Sequence, residues 1–364
     1  MTGQLNFSIT RDGGNSVNAQ LIAGLKALAE TVGVGGKLPS EAELCQTFNL
    51  SRTTVNRALN ELEHQNVIER FQGKGSFVKA APAPKIYYLS SPLNIMEKHD
   101  ANSLMVQSIY YGILQGATNA GMNVETVVVC QTDYRKDIDL HKLDSIPDGS
   151  RVVLLGYWFA RTFDTLLAKN CQVAIITRQE EVEKYIDPKI AMWQHIEIQR
   201  FQGTISAVKH LFDAGKRRIA LIHNKSCVEN PFRQGYRQGF AQCGLAFDDK
   251  LEMHVGDDIE AAYEQINQMI IMRPGYEFDA ILTSTPFQAI GALQSLRDNN
   301  LSGEIGIISL EDNELLLSPG HIGVSGINLN YQSAGASAVN ALIHRHNEPQ
   351  RIKIGYNLVT RQTH

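Results

Sequence analysis

The sequence predicts an α/β protein in two parts: a small helical head closed by a glycine-tipped hairpin, then a two-lobed domain of alternating strands and helices. Three observations lead there. Residues 17–79 read as three helices and a hairpin, two prolines in an alanine background interrupt the chain at 80–85, and from 86 to 364 short apolar runs alternate with helical patterns. Such alternation builds βαβ units and mostly parallel sheets. A stretch of about 280 residues exceeds what one open sheet comfortably holds, so it divides into two lobes with a cleft between them.

Residues 1–16 are polar and glycine-containing, and are expected to form a flexible arm. In "VNAQLIAGLKALAETV" the stripe of Leu21, Ile22, Leu25, Leu28 and Ala29 marks a first helix, which "GVGGK" at 33–37 breaks. A second helix opens at "LPSEAEL", where Ser40 is the N-cap and Glu43 completes a capping box; such a cap is worth about 0.5–2 kcal/mol. After the turn "FNLS", Ser51 caps a third helix in the same way. That helix starts with Thr53, Thr54 and Val55, three β-branched residues of weak helix propensity. Val55, Ala58, Leu59 and Leu62 nevertheless keep the i, i+3, i+4, i+7 spacing of an amphipathic helix. "NVIERFQGKGSFVKA" then reads as a two-stranded wing around a tip at 73–75, and 80–85 as a semi-rigid linker. Beyond it, strands are expected at 85–89, 123–129, 150–156, 172–177, 217–223, 278–283, 303–309 and 321–327. Helices are expected at 104–120, 202–214, 233–243, 259–272, 286–299 and 331–346. Open parallel sheets bind ligands at the carboxyl ends of their strands, which here would face the cleft.

Composition bounds the function. Apolar residues at 43% and charged residues at 20% place the chain among ordinary globular proteins rather than disordered ones. The net charge of −4 announces no global attraction to nucleic acid, although a local patch can hide within an acidic whole. Cys45, Cys130, Cys171, Cys227 and Cys243 are scattered, with no C-x-x-C pair, which argues for reduced thiols. The N-terminus lacks a basic segment followed by an apolar run, and no later stretch approaches 18 uninterrupted apolar residues. The expectation is a cytoplasmic protein without a membrane anchor.

Three helices with a tight turn between the second and third, followed by a glycine-tipped hairpin, make a winged helix-turn-helix. A recognition helix enters the major groove by its N-terminal end, so residues there face DNA rather than the core. Ser51 and Thr53 suit phosphates, helped by the first-turn N–H groups. Arg52 and Asn56 share one exposed face, Thr53 and Arg57 another; Arg reads guanine and Asn reads adenine, each worth roughly 1–3 kcal/mol of discrimination.

The blocks "LPSEAEL", "SRTTVNRAL" and "GKGSFV" within 38–78 resemble the DNA-binding domain of the GntR family, whose pattern is L-P-S-E-x-x-L, S-R-x-T-V-x-x-A-L and G-x-G-x-F-V. The resemblance covers about sixty residues and implies DNA contact by Arg52, Thr53, Thr54 and the wing residues Gly73, Lys74 and Gly75, with Ser40 and Glu41 of the first block in the same set. Two positions depart from the family: Ala42 and Asn56 stand where Arg is common. Asn56 is therefore the expected source of an altered base preference. Residues 17–79 hold seven Lys and Arg against six Asp and Glu, a balance of +1, so nonspecific affinity should be modest.

The second part resembles, more loosely, the effector-binding domain of the LacI family, which shares the fold of periplasmic binding proteins. "GTISAVKHLFDAGKRRIALIHNKSCVENPFRQGYRQGFAQCGL" at 203–245 looks like that family's A-x-x-x-L-x-x-x-G-H-x-x-I-A-x-I followed by R-x-x-G-F. A GntR-type head on a LacI-type body resembles the AraR-type subgroup, some members of which respond to arabinose. The resemblance implies a periplasmic-binding-protein-like fold and places Arg233 at the family's effector-binding arginine, a planar fork of donors suited to sugar hydroxyls or a carboxylate. Elsewhere Thr285 and Pro286 replace an Asn-Asp pair, Gln199 and Arg200 replace an Asp-Asn pair, and an acid survives at Glu311 or Asp312. Ser91, Trp158, Phe159 and Arg178 end strands and are further candidates. The lost carboxylates point away from arabinose itself and leave a small polar effector.

No catalytic residues, metal or cofactor are expected. There is no G-x-G-x-x-G after the first strand, "GVGGK" lies between helices rather than in a phosphate loop, and His344 and His346, at i, i+2, point to different helix faces. The sequence therefore implies a DNA-binding regulator, a repressor of a carbohydrate-utilisation operon, with a sugar-like effector between its lobes. A homodimer on a near-palindromic operator follows from the two-fold symmetry of such regulators. The alternatives are a solute-binding protein and an α/β enzyme carrying an accessory helical head.

Overall fold

The structure, a computed structural model, describes residues 7–10, 16–80, 83–90, 101–130, 137–178, 187–224, 231–272, 278–317, 323–344 and 348–363. The chain divides into two compact units, Met1–Ala83 and Pro84–His364.

The head contains α1 (Val17–Val32), α2 (Glu41–Phe48), α3 (Arg52–His64) and the wing strands β1 (Ile68–Phe71) and β2 (Gly75–Val78). Its core is the apolar stripe read from the sequence: Leu21, Leu25, Leu44, Val55, Ala58, Leu59 and Leu62 are fully buried together. The capping box is formed as expected. Ser40 Oγ accepts from the Glu43 N–H at 3.3 Å, and the Glu43 carboxylate accepts from the Ser40 N–H at 2.7 Å. Ser51 caps α3 by accepting from the Thr54 N–H at 3.2 Å, which offsets the weak propensity of that first turn. Asn49 ends α2 in the left-handed conformation, φ 51°, and sets the tight turn into α3. The "GVGGK" segment pairs with the wing: the Val78 N–H donates to Gly36 O, and Leu38 donates to Ser76 O. Part of the expected flexible arm is packed. Phe7 stacks on Phe48 with ring centroids 4.7 Å apart, and the Thr10 N–H donates to the Gln20 side chain; residues 1–6 and 11–15 lie outside the described residues.

The second unit carries two six-stranded sheets among the described residues. In the first lobe β3 (Lys85–Ser90), β4 (Asn123–Val128), β5 (Arg151–Leu155), β6 (Gln172–Arg178), β7 (Gln194–Ile198) and β13 (Arg351–Ile354) run in the order β4-β3-β5-β6-β7-β13, all parallel. In the second, β8 (Ile219–His223), β9 (Glu252–His254), β10 (Ala280–Thr283), β11 (Gly306–Ser309), β12 (Ser325–Asn328) and β14 (Asn357–Val359) run β9-β8-β10-β11-β12-β14, with only β14 antiparallel. Each expected strand is present. Four were not expected: β7, β9, β13 and β14. In β7 His195 and Glu197 are polar yet buried, and the His195 ring bonds Ile190 O at 3.1 Å, so hydropathy hides the strand.

The chain passes between lobes three times, at Gln199 after β7, at Leu329 and Asn330 after β12, and at Gly355 and Tyr356 after β13. The helices are α4 (Ala101–Asn119), the short α5 (Phe163–Ala168), α6 (Arg200–Asp213), α7 (Pro231–Cys243), α8 (Ile259–Met272), α9 (Pro286–Asp298) and α10 (Tyr331–Ile343). α4 and α10 pack backbone to backbone on the first lobe. A Cβ on Gly335 would lie 2.0 Å from Ile109 O, and one on Gly112 1.9 Å from Gln332 O. Neither neighbour is a flexible side-chain end, so the helices would have to move apart. Gly335→Ala is therefore expected to destabilise the protein by about 1–3 kcal/mol, read as a lower urea midpoint; an unchanged midpoint would show that the helix pair has slack.

Candidate functional site

Two surfaces collect functional side chains. On the head, α3 presents a concave face lined by Arg52, Thr53, Asn56, Arg57, Asn60, Glu61 and His64. Arg52, Thr53 and Arg57 are exposed, as are Gly73 and Lys74 at the wing tip. Gly73 and Gly75 hold φ of 74° and 108°, values that only glycine adopts without strain. Ser51 and Thr54 are joined hydroxyl to hydroxyl at 2.9 Å, and both serve the cap of α3. Ser40 likewise serves the cap of α2. Glu41, the first residue of α2, joins this face to the wing: it accepts from Arg52 Nε at 3.3 Å, from Asn56 Nδ2 at 3.1 Å, and from Arg70 of the wing. The expected base reader Asn56 is half-buried and has both ends of its amide engaged, because its oxygen accepts from Arg70 at 2.8 Å.

In the second unit the lobes meet at a buried ion pair. Arg200, the first residue of α6 after the first crossing, reaches Glu311 Oε1 at 2.9 Å, and the Tyr331 hydroxyl donates to the same oxygen at 2.5 Å. Arg200 also donates to that hydroxyl at 2.7 Å, and its guanidinium lies over the rings of Phe232 and Tyr331, 5.4 and 5.6 Å from their centroids. Glu311 follows β11, Tyr331 opens α10 after the second crossing, and Met105 of α4 contributes its sulfur to Arg200. Burial pushes the Glu311 carboxyl up, against the pull of the Arg200 charge and the Tyr331 hydrogen bond. Burial likewise raises the Tyr331 hydroxyl well above its ordinary value. Beside this cluster the cavity bounded by Leu104, Pro286 and Asn313 is about 20 Å³, room for about one water. Asn224 donates to Asp257 at 2.6 Å, and the Asp257 charge acts on Glu311, which adds an amide and a second carboxylate to this junction.

Of the expected effector residues, Glu311 stands at the junction. Asp312 lines the same small cavity as Glu311 and is held by both terminal nitrogens of Arg361, at 2.7 and 3.1 Å. Thr285 is the N-cap of α9, accepting from the Gln288 N–H at 3.3 Å. Phe159 is a core residue packed with Phe163, and Trp158 is half-buried between two apolar clusters. Ser91 and the side chain of Arg178 lie outside the described residues, as does His346.

Arg233 turns away from the junction. Gly235 and Gly239 press against α6, where a Cβ would meet Phe201 O at 2.7 Å and Val208 at 2.8 Å. The residue three before Gly235, on that same face, is Phe232. The R-x-x-G spacing thus falls on Phe232, which meets Arg200, while Arg233 points to Glu252 on the edge strand β9. Burial pushes the Glu252 carboxyl up, but hydrogen bonds from Arg233 and Arg237 outweigh it and hold the group below its ordinary value. Ligating atoms of His223, Glu252 and His254 lie within 4.8 Å of one another. With two guanidinium groups already on Glu252, a cation there would meet like charge, and the group reads as an ion-pair cluster. Arg200 and Tyr331 were missed from the sequence; the only signal was that Gln199 and Arg200 replace an expected Asp-Asn pair.

The comparisons with known proteins agree with this division. The profile of "Bacterial regulatory proteins, gntR family" matches residues 19–78, and that of "Periplasmic binding protein-like domain" matches 208–364. The head is similar to that of the arabinose metabolism transcriptional repressor of Geobacillus stearothermophilus, 47% identical over 49 residues, 14% of this chain and 13% of that protein. The chain spans about a fifth of the length of curated relatives that it matches by this head. Among solved structures, a regulatory protein of LacI family from Chloroflexus aggregans superposes with a TM-score of 0.60 at 20% identity, covering 77% of this chain and 98% of that one. A LacI family transcriptional regulator from Weissella paramesenteroides with bound glucose gives 0.59 at 16% identity, covering 77% and 97%. The chain thus joins a gntR-family helix-turn-helix head to a periplasmic binding protein-like domain with the fold of LacI-family regulators. Among the described residues no helix is long and apolar enough to cross a membrane.

Removing one member of a buried ion pair strands the other, at a cost of roughly 3–5 kcal/mol. Glu311→Gln should therefore lower the unfolding free energy by about that much, and the double change Arg200→Met with Glu311→Leu should recover most of it. Urea titration checks both; a single change without effect would mean that Arg200 is not confined by Glu311.

Proposed function

We propose that the protein is a sequence-specific transcriptional repressor of a carbohydrate-utilisation operon, controlled by a small polar effector held between the lobes of its second unit. The observation that carries the reading is the union of a gntR-family head, its α3 face bearing Arg52, Thr53 and Arg57, with a body of LacI-regulator fold. Repression of sugar metabolism is supported by the relatives' names, including the arabinose metabolism repressor. A sugar-like effector is supported by the glucose-bound neighbour and by the junction itself. Arg200, Tyr331, Asn224, Asp257 and Glu311 supply donors and acceptors at the carboxyl ends of the strands and at the crossings, where such sheets bind ligands. The protein works as a homodimer in the cytoplasm, and two heads read two half-sites of a near-palindromic operator.

Among the described residues the cavity beside the pair is about 20 Å³, and a second one sharing Asp312 and Tyr331 is about 330 Å³, in the range of roughly 300–1,000 Å³ that small-molecule sites occupy. An effector that reaches this junction competes with the Arg200–Glu311 contact for the same polar atoms. Because both crossings that carry Arg200 and Tyr331 join the lobes, this exchange biases lobe orientation, a population shift that changes the spacing of two heads in the dimer. An electrophoretic mobility shift with the upstream region of the protein's own operon tests the regulator reading, and light scattering of the complex counts its protomers. Specific retardation, a dimer, and a sugar from a thermal-shift screen of the full chain that alters the retardation are expected. Absence of specific retardation at low salt would refute it.

A further inference from the structure

Arg70 and Glu41 contact the α3 residues Arg52 and Asn56, and both are engaged with protein partners. Arg70 comes from wing strand β1 and is 24% exposed; it donates to Glu41 and Asn60, and to the Asn56 side-chain oxygen at 2.8 Å. The Glu41 carboxylate takes Arg70 on one oxygen, and on the other Asn56 Nδ2 at 3.1 Å and Arg52 Nε at 3.3 Å. This network ties α2, α3 and the wing into one unit around a single carboxylate. It also fixes the Asn56 amide: one end must donate to Glu41 and the other must accept from Arg70, so only one orientation satisfies both partners. Arg52 is 83% exposed and, among the described residues, is held through Nε alone. That leaves its two terminal nitrogens available for the bidentate contact by which arginine reads guanine.

We propose that Glu41 and Arg70 are positioning residues that aim Arg52 at a guanine, and that Asn56 is a strut between them rather than a reader of adenine. The inference rests on the DNA-binding reading above. An arginine at position 56, common in the family, would crowd a third guanidinium around the Glu41 carboxylate beside Arg52 and Arg70. The asparagine instead bridges the acid to the wing arginine and leaves Arg52 as the base-reading group of this face.

The test is selection from a randomised half-site library with the full-length protein and the variants Arg52→Ala, Glu41→Gln, Arg70→Ala, Arg70→Lys and Asn56→Ala, with salt dependence of affinity for the selected site. Wild type should select a guanine that Arg52→Ala no longer prefers, a loss of roughly ten- to hundredfold discrimination. Glu41→Gln, Arg70→Ala and Asn56→Ala should blur that same position, and Arg70→Lys should restore part of it. Arg70→Ala should leave the salt slope unchanged, because a lost phosphate contact would reduce it by about 0.9. Circular dichroism shows whether each head is folded, and Glu41→Gln, which keeps the shape and an acceptor, serves where Arg70→Ala is unfolded. The proposal is overturned if Glu41→Gln and Arg70→Ala select the wild-type site unchanged, if Asn56→Ala loses an adenine elsewhere, or if the salt slope falls. Wild type without any sequence preference would instead sink the regulator reading itself, and this inference with it.

Discussion

A carboxylate sealed between two lobes needs a cation, and Glu311 has one in Arg200. That pair links the segments by which the chain crosses between the lobes. Arg200 begins the helix after the first crossing, Tyr331 begins the helix after the second, and both touch Glu311 at the end of a second-lobe strand. The third crossing is tied in as well. Asn330 donates to Gly355 O at 2.6 Å, and the Tyr356 and Ser206 hydroxyls are 2.8 Å apart. Whatever alters the Arg200–Glu311 contact therefore acts on the segments that set lobe orientation. A buried ion pair adds little net stability compared with an apolar replacement. Its value here lies in being exchangeable: a polar ligand can offer the same hydrogen bonds that the two side chains offer one another.

The head uses the same chemistry at its surface. Glu41 gathers Arg52, Arg70 and Asn56 much as Glu311 gathers Arg200 and Tyr331. The difference is solvent. Glu311 is sealed, so its bonds are strong and the cost of an unpaired partner is high. Glu41 is partly exposed, so its contribution is geometric: it limits where long side chains point, which matters for reading DNA more than for stability.

Much of the fold was legible because it follows from local rules. The capping box at Ser40, the N-cap at Ser51, the stripe through Val55 and Leu62, and the glycine tip at Gly73 are each set by a local pattern or boundary signal. Strands β10 and β11 were equally plain as short apolar runs. β7 was not, since Gln194, His195 and Glu197 interrupt it, and the partner of the buried His195 ring, Ile190 O, is set by tertiary structure. β9, β13 and β14 are three or four residues long, too short for period-two alternation to register. The lobe junction was the least legible. Arg233 follows the family arginine in sequence only to within one residue, and on a helix one residue is a turn of about 100°, enough to send it to Glu252 instead of the junction. Glu311 and Asp312 are adjacent and equivalent on paper. Arg361, 49 residues away from Asp312, is what separates their roles, and no local pattern reveals it. Arg200 and Tyr331, 131 residues apart, converge only because the chain crosses between the lobes repeatedly.

Linkage offers the most direct test of the central claim, that occupancy at the Arg200–Glu311 junction and operator affinity are one equilibrium. The measurement is the dissociation constant of a sugar that binds, determined by titration calorimetry with the full-length protein, once free and once saturated with operator DNA. Coupling between the two sites requires the sugar's affinity to change on operator binding by the same factor that the sugar changes operator affinity, typically 5–150-fold. Equal factors are expected in the two directions, both abolished by Glu311→Gln. Identical sugar affinities with and without operator would contradict it.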